Sequence, residues 1–163
     1  MKKAVSNKTK QRVAIKVISK KEVDCRTISE EINVQRMCKH PNLLQILDVY
    51  EDEDHVYLVL ELMEGGTLME YIDSKKGTKT DILVTTCIIY QLALALKYLK
   101  QFNIVHRDVK ALNVLLTGKQ IEFEIGGMPV FAPEVKLSDF SVSTIISTGV
   151  KNEYCGTITH MAP

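Results

Sequence analysis

The stretch IVHRDVKALNVLL, residues 104–116, decides how the rest of the chain is interpreted. It places five polar side chains among apolar ones: His106, Arg107, Asp108, Lys110 and Asn113. Charged side chains are rarely buried unless a partner compensates them. The segment is therefore either a loop that carries a polar site into an apolar wall or an ordinary surface helix.

The composition is that of an ordinary globular domain. The chain has 163 residues, of which 45% are apolar and 25% charged, so we expect one domain with a buried core and no extensive disorder. The formal net charge is +1, which gives no reason to expect nucleic acid or an anionic membrane as a partner. The basic start, residues 1–12, is predicted to form a solvated strand–turn–strand edge.

The cysteines indicate a reducing compartment. They are scattered, without a CxxC pair: Cys25, Cys38, Cys87 and Cys155. This pattern argues against a zinc site and against a disulfide framework. The first residues contain no apolar signal-peptide core. We therefore expect a location in the cytoplasm or the nucleus.

One apolar run, residues 82–99, is long enough to be considered as a membrane span. It contains Thr85, Thr86, Gln91 and Lys97, and polar sequence flanks it closely. We therefore predict a core helix and no membrane span.

Hydrophobic periodicity predicts an α+β arrangement of two unlike parts. The first part has strands at 12–19, 43–50 and 55–62, and a helix that begins at the capping-box pattern Thr27–Glu30 and stops before Pro41. The second part, after a break at Gly65–Gly66, has predicted helices at 67–74 and 81–101 and strands at 114–117, 120–125 and 135–138.

A set of polar residues interrupts these apolar runs. They are Lys16 in a strand, Glu31 on the following helix, Asp108 and Asn113 in the quoted stretch, and Asp139 after a later strand. Oxygen ligands suit Mg²⁺, a strand lysine suits phosphate oxygens, and an aspartate can accept a hydroxyl proton. Together these groups are what phosphoryl transfer requires. Taken alone, Asp108 would be an ordinary cap or surface acid, and Lys16 an edge lysine whose charge reaches solvent.

The order of the motifs resembles the eukaryotic protein kinase catalytic domain. VAIK (13–16) is similar to the strand-lysine motif, HRDVKALN (106–113) to the catalytic loop, and DFS (139–141) stands where the family has DFG. MAP (161–163) matches the approach to the family's A-P-E. The resemblance implies a two-lobed fold, with residues 1–62 as the N-lobe sheet plus helix C and residues 63–163 as the upper part of the C-lobe.

The resemblance also implies roles for the polar residues, with ATP and Mg²⁺ as cofactors. Lys16 would contact the α- and β-phosphates and pair with Glu31. Asp108 would orient the substrate hydroxyl and accept its proton, with Lys110 near the transferred group. The implied metal ligands are Asn113 and Asp139.

The adenine site is implied in the same way. Glu61 and Met63 would offer main-chain hydrogen bonds to adenine, and Ala14 and Leu115 would sandwich its ring. His106 and Phe140 would pack in an internal apolar stack.

Several features depart from the family pattern. No glycine precedes Gly65, so the glycine-rich loop is missing, and the sequence stops before most of the C-lobe; we therefore expect an incomplete domain. Ser141 replaces a glycine that allows backbone angles other residues resist, and Gln35 stands at an apolar stack position. The segment between Asn113 and Asp139 is longer than usual, and its residues 117–134 are predicted to form an enlarged surface hairpin with Gly126–Gly127 as its turn.

Two functions fit these residues. The first is a serine/threonine protein kinase, since Lys110 and Thr157 resemble that class, with protein substrates and an upstream activating kinase as expected partners. Glu153 could pair with Arg107 in place of an activating phosphate, or it could be a solvated loop acid. The alternative phosphorylation sites are Thr144, Ser147, Thr148 and Tyr154. The second function is a pseudokinase or kinase-derived scaffold, which the missing loop, Ser141 and Gln35 favour.

The sequence also predicts a substrate preference. Relatives that prefer basic residues before the target serine or threonine often carry acids at the positions of Thr67 and Leu112, and neither residue is acidic here. We expect no strong selection for upstream arginine, as measured on a peptide array. Phosphorylation dominated by upstream arginine would contradict this expectation.

Overall fold

The fold combines a four-stranded sheet and one helix with a second part built from two helices and a long hairpin. A computed structural model describes residues 1–76 and 81–146. Its elements are β1 (Lys2–Val5), β2 (Arg12–Ser19), α1 (Cys25–Met37), β3 (Ile46–Glu51), β4 (His55–Glu61), α2 (Leu68–Ser74), α3 (Ile82–Gln101), β5 (Ile104–Val105), a 3₁₀ turn (Ala111–Asn113), β6 (Val114–Ile125), β7 (Met128–Leu137) and β8 (Thr144–Ile145). The predicted α+β arrangement is confirmed.

The first sheet is antiparallel with the strand order β1-β2-β4-β3. The β-branched run RVAIKVIS forms β2, which pairs with β4 from Val13–Glu61 to Ser19–His55 without a register shift. The short strand β1 pairs along the outer edge of β2. This arrangement confirms the strand–turn–strand edge predicted for the start of the chain.

Helix α1 begins earlier than predicted. Asp24 is the N-cap, and its carboxylate accepts a hydrogen bond of 3.0 Å from the main-chain N–H of Arg26. The predicted capping box at Thr27–Glu30 is therefore wrong: Thr27 already lies inside the helix, because an aspartate three residues earlier satisfies the first free N–H groups. The end at Met37, before Pro41, agrees with the prediction.

The third strand is shorter than the sequence predicted. It begins at Ile46 rather than at residue 43, because Leu43 and Leu44 leave the sheet and turn towards the second part of the chain. The main-chain N–H of Leu44 donates to the carbonyl of Leu137 at 2.9 Å, and Leu43 is completely buried. This contact joins the two parts directly below the sheet.

The enlarged hairpin predicted at Gly126–Gly127 is confirmed, but it is more regular than predicted. The segments predicted at 114–117 and 120–125 form one strand, β6, with a register shift between Leu116 and Gln120. The strand predicted at 135–138 is only the end of β7, whose two prolines conceal the first half in the sequence. Both turn glycines have positive φ, as a tight hairpin of this type requires.

The hairpin also contributes to the core. Val130 and Ala132 of β7 are buried against Cys87 of α3, and Phe123 of β6 stacks edge-on against Tyr90 at 6.3 Å between ring centroids. One face of the predicted surface hairpin is therefore covered by α3, and only the opposite face is exposed.

Helix α3 is the long apolar segment considered above. Within the described part of the chain it is the one helix long and apolar enough to cross a membrane, a test that core helices pass as well. One side of it is buried, through Cys87, Ile88, Gln91, Leu92, Ala95 and Leu99.

Gly65 joins the end of the first part to β6. Its N–H donates to the carbonyl of Leu116, and the N–H of Leu116 donates to the carbonyl of Gly66, both at 2.9 Å. A Cβ atom at Gly65 would lie 2.6 Å from the Cβ of Leu116, so only glycine allows this approach.

A buried amide network closes the outer edge of β7. Gln91 of α3 accepts from the N–H of Val135 at 3.0 Å and donates to the carbonyl of Pro133 at 2.9 Å. Asn42 donates to the Gln91 side chain at 3.0 Å and to the carbonyl of Val135 at 2.9 Å. The two side chains thus satisfy main-chain groups that a neighbouring strand would otherwise bind.

Replacing Gln91 by leucine should strongly destabilise the protein. The change leaves the N–H of Val135 and the carbonyl of Pro133 buried without the Gln91 partner and removes one of the two bonds of the Asn42 amide, which we expect to cost about 2–4 kcal/mol in urea unfolding. Gln101→Leu is the matched control, because Gln101 is exposed on the same helix; its effect should stay within about 0.5 kcal/mol. Equal effects of the two variants would contradict the network's role.

Candidate functional site

The site begins with an ion pair between the sheet and α1. Lys16 lies in the middle of β2, and its Nζ is 2.6 Å from Oε1 of Glu31. The Glu31 side chain is only 7% exposed, so its charge depends on this partner. Helical spacing places Glu31 on the same face of α1 as Ile28 and Gln35, which are buried.

Lys16 also reaches across to the second part of the chain. Its Nζ lies 3.8 Å from Oδ1 of Asp139, the second residue after β7. Asp139 has a φ of 66°, which a short polar side chain tolerates better than a bulky one. One ammonium group therefore contacts carboxylates from both parts.

The quoted stretch forms a compact polar loop. Oδ2 of Asp108 lies 2.7 Å from Nζ of Lys110 and accepts a 2.8 Å hydrogen bond from Nδ2 of Asn113. The same Nδ2 donates to the carbonyl of Asp108 at 2.9 Å. The two bonds use the amide nitrogen of Asn113, so its amide oxygen takes part in neither.

Ser138 connects this loop to Asp139. Its N–H and its hydroxyl both donate to the carbonyl of Asn113 at 2.8 Å. Its own carbonyl accepts from Nε2 of His106 at 3.0 Å, while Nδ1 of His106 accepts from the N–H of Asp108 at 3.3 Å. One ring nitrogen donates and the other accepts, which is the pattern of a neutral imidazole.

The predicted apolar stack is present. The rings of His106 and Phe140 lie 5.1 Å apart in an edge-on arrangement, and Phe140 is fully buried. Gln35, predicted to weaken the stack unless it found a partner, is buried and donates to the carbonyl of Leu44 at 3.2 Å.

Two adjoining cavities lie between the parts. The first, of about 230 Å³, is mainly apolar, and its walls include Ala14, Glu61, Met63 and Leu115. The second, of about 540 Å³, is more polar, and Lys16, Glu31, Asn113 and Asp139 line it. The structure thus brings eight of the ten predicted site residues to these cavities. Asp108 and Lys110 lie outside both linings, and Asp108 is connected to them through Asn113.

The residues at the polar cavity suit a hard cation. Among the charged side chains of its lining, the carboxylates of Glu31 and Asp139 outnumber the one ammonium group of Lys16, so one negative charge is in excess. Within residues 1–76 and 81–146 no three acidic, histidine or cysteine side chains form a metal cage. Mg²⁺ needs no such cage, because it is usually held by one or two protein oxygens together with phosphate and water.

Ser141 fits this arrangement without strain. In the described part of the chain the non-glycine residues with positive φ are Lys10, Asn103, Arg107 and Asp139, so Ser141 adopts ordinary angles. The positive φ falls on Asp139 instead. In this conformation the family's glycine is not required.

Sequence reasoning missed the contacts of the Glu61 side chain. Its carboxylate lies 2.8 and 2.9 Å from Nζ of Lys136 and accepts a 2.8 Å bond from the N–H of Gln45. Lys136 interrupts an apolar strand just as Lys16 does, and that signal could have identified it.

Most of the predictions about control by phosphorylation concern residues outside the described part of the chain. Glu153, Thr157 and the candidate phosphorylation sites Ser147, Thr148 and Tyr154 lie outside the described residues. Thr144 is described and lies in β8, paired with Val105.

Comparison with known proteins points in one direction. The family described as "Protein kinase domain" matches residues 1–163. Calcium/calmodulin-dependent protein kinase type 1 of Macrobrachium nipponense is 35% identical over 93% of this chain and 41% of its own length. Serine/threonine-protein kinase DCLK1 of Rattus norvegicus is 35% identical over 100% of this chain and 35% of its own length. Myosin light chain kinase A of Dictyostelium discoideum is 33% identical, over 97% and 51%. The chain thus spans between about a third and a half of these relatives.

The buried imidazole should make stability depend on pH. Burial lowers the pKa of His106, although the carbonyl of Ser138 and the carboxylates of Asp139 and Asp108 oppose the shift. As pH falls below about 6.5, the unfolded chain binds a proton that the folded protein refuses, so stability declines by up to about 1.4 kcal/mol per pH unit.

A His106→Asn variant removes this contribution. Its unfolding free energy, measured by urea titration between pH 7.5 and pH 5, should fall less steeply than that of the parent. Identical slopes would contradict a neutral buried His106.

Proposed function

Because the chain belongs to the protein kinase family, we propose that it carries the catalytic site of a serine/threonine kinase that transfers the γ-phosphoryl group of ATP to protein hydroxyls. The observation that carries the proposal is the position of Lys16, whose ammonium group contacts both Glu31 and Asp139. Such an arrangement suits a polyanionic ligand, because a strand lysine held by one buried acid is kept in a fixed direction.

Lys16 would bind the α- and β-phosphates. Its link to Glu31 is short, whereas its distance to Asp139 is 3.8 Å, so phosphate oxygens could enter between them. Glu31 is then a positioning residue, which holds the lysine while the nucleotide binds and leaves.

Asn113 and Asp139 would hold Mg²⁺ through their side-chain oxygens. When bound, the ion neutralises phosphate charge and aligns the transferred group. The two bonds that the Asn113 amide nitrogen donates to Asp108 fix which side of that amide faces the cavity.

Asp108 would accept the proton of the substrate hydroxyl as that oxygen attacks the γ-phosphorus and the bond to ADP breaks. Lys110, 2.7 Å from Asp108, supplies positive charge beside the transferred group.

The apolar cavity would hold adenine. Ala14 and Leu115 would pack on its two faces, and main-chain groups of Glu61 and Met63 would bond its edge. The Glu61 carboxylate is engaged by Lys136 and Gln45, and the Glu61 N–H donates to the carbonyl of Gln45 at 3.2 Å. The Glu61 carbonyl and the main chain of Met63 are therefore the groups proposed to bond adenine.

Protein serine and threonine side chains are the proposed acceptors, since Lys110 and the relatives' names both favour that class. An upstream activating kinase and a cytoplasmic or nuclear location belong to the same proposal. The reducing environment agrees with the free thiols of Cys25, Cys38 and Cys87.

Replacing Asp108 by asparagine in the full-length protein should lower kcat by about 10²- to 10⁴-fold, because the proton acceptor is lost. Nucleotide affinity should stay close to that of the parent, whereas Lys16→Met should weaken it. ADP release with Mg-ATP and a generic protein substrate measures the first effect, and fluorescent-nucleotide titration the second.

Asp54→Asn is the matched control, since Asp54 is an exposed turn residue on the far side of the sheet. A parent protein that binds nucleotide but releases no ADP would overturn the catalytic assignment. A parent that binds no nucleotide would overturn the site itself.

A further inference from the structure

The two outer edges of the β6–β7 hairpin differ. On β7, Pro129 and Pro133 have no N–H, the carbonyl of Pro133 and both main-chain groups of Val135 bind Gln91 or Asn42, and the N–H of Leu137 binds the carbonyl of Asn42. Prolines and covering side chains are the usual ways in which proteins close an exposed strand edge. This edge is therefore closed to a further strand.

These contacts also show which way the main chain of β6 faces. On β7, the residues whose main-chain N–H and C=O groups point away from β6 are the odd-numbered ones from 129 to 137. They include the partners of Glu124, Glu122 and Gln120, which pair with Pro129, Phe131 and Pro133. In an antiparallel pair, when one residue points its N–H and C=O outwards, its direct partner does the same. The main-chain groups of Gln120, Glu122 and Glu124 therefore point away from β7.

That edge of β6 is open. Towards its start, Leu116 is paired with Gly65 and Gly66. From Gln120 to Glu124, no hydrogen bond from the rest of the described chain, residues 1–76 and 81–146, reaches the outward groups. The alternate residues Gln120, Glu122 and Glu124 together offer three N–H donors and three carbonyl acceptors, with the spacing that an added β-strand requires.

The two faces beside this edge have opposite character. On one face Glu122 and Glu124 are exposed, with Phe131 exposed directly opposite Glu122. On the other face Ile121, Phe123 and Ile125 are half-buried towards α3. A strand added here would place alternate side chains beside glutamates and beside apolar groups.

We propose that the β6 edge from Gln120 to Glu124 binds an extended segment of a partner protein in which basic and apolar residues alternate. Basic side chains would pair with the two glutamates, and apolar ones would extend the face that packs on α3. A second copy of this chain fits less well, because two such edges would bring four glutamates together. The proposal is independent of catalysis.

The probe is a blocked, fluorescently labelled peptide of alternating arginine and valine, titrated into the full-length protein. Two control peptides are titrated in the same way: an otherwise identical peptide of alternating glutamate and valine, and a version of the basic peptide with proline at its centre. We expect binding of the basic peptide alone, weakened by salt because its charges are exposed. Equal binding of the acidic peptide would overturn the proposal.

Two variants locate the site. Glu122→Pro removes one outward N–H while leaving the β6–β7 ladder intact, as Pro129 and Pro133 do on β7, and should weaken binding about tenfold. Glu122→Gln with Glu124→Gln changes no main-chain group and should weaken binding at low salt only. Glu22→Gln with Glu53→Gln is the charge-matched control, since both residues are exposed elsewhere, and it should have no effect.

Two further measurements test whether the variants are folded and whether the protein self-associates. Unfolding by urea shows whether the proline variant is folded, and the glutamine pair tests the site if it is not. Binding unchanged in the glutamine pair at low salt would overturn the proposal, as would dimerisation of the free protein that the basic peptide does not reverse in sedimentation.

Discussion

The burial of the Glu31 carboxylate is the constraint on which the rest of the site depends. A charge that is only 7% exposed needs a compensating partner, and Lys16 provides it at 2.6 Å. Removing one partner of a buried pair typically costs about 3–5 kcal/mol, because the other charge is left uncompensated. The pair therefore fixes the rotation of α1 on the sheet, and with it the side of the cavity that carries positive charge.

The opposite side of the cavity is fixed through the end of β7. The N–H of Leu137 donates to the carbonyl of Asn42 and its carbonyl accepts from the N–H of Leu44, whereas Ser138 donates to the carbonyl of Asn113 and accepts from His106. Asp139 follows immediately, so two separate segments, residues 42–44 and 106–113, determine where its carboxylate lies. The 3.8 Å distance between Lys16 and Asp139 is thus set from both sides of the cavity. The contacts around Asp139 hold its backbone at a positive φ.

Lys16 and Asn113 could be read from the sequence because each is a polar side chain inside an apolar run, and that signal is local, whereas Glu31 stands in the polar stretch SEEINVQ and was identified from its place on the helix after the strand lysine. Lys16, Glu31, Asn113 and Asp139 converge as expected. The capping of α1 was mispredicted because two candidate caps compete within four residues, and the start of β7 was missed because its prolines resemble a loop. The network of Asn42 and Gln91 could not be predicted, since it joins residues 49 positions apart that no periodicity connects. From the sequence, Gln35 and Ser141 were expected to weaken the site. In the structure, Gln35 donates to the carbonyl of Leu44 and Ser141 has ordinary backbone angles.

The register shift between Leu116 and Gln120 explains how one hairpin can serve two purposes. Before the shift, Val114, Leu115 and Leu116 are held by β7 and by Gly65–Gly66, and Leu115 lines the apolar cavity. After it, β6 is free of those contacts and packs only through the face turned to α3. An extra residue at a bulge absorbs local change in strand direction. The outer half of the hairpin can therefore differ in length and charge without moving Leu115. The open edge of β6 is thereby attached to a part of the strand whose position is fixed by other contacts.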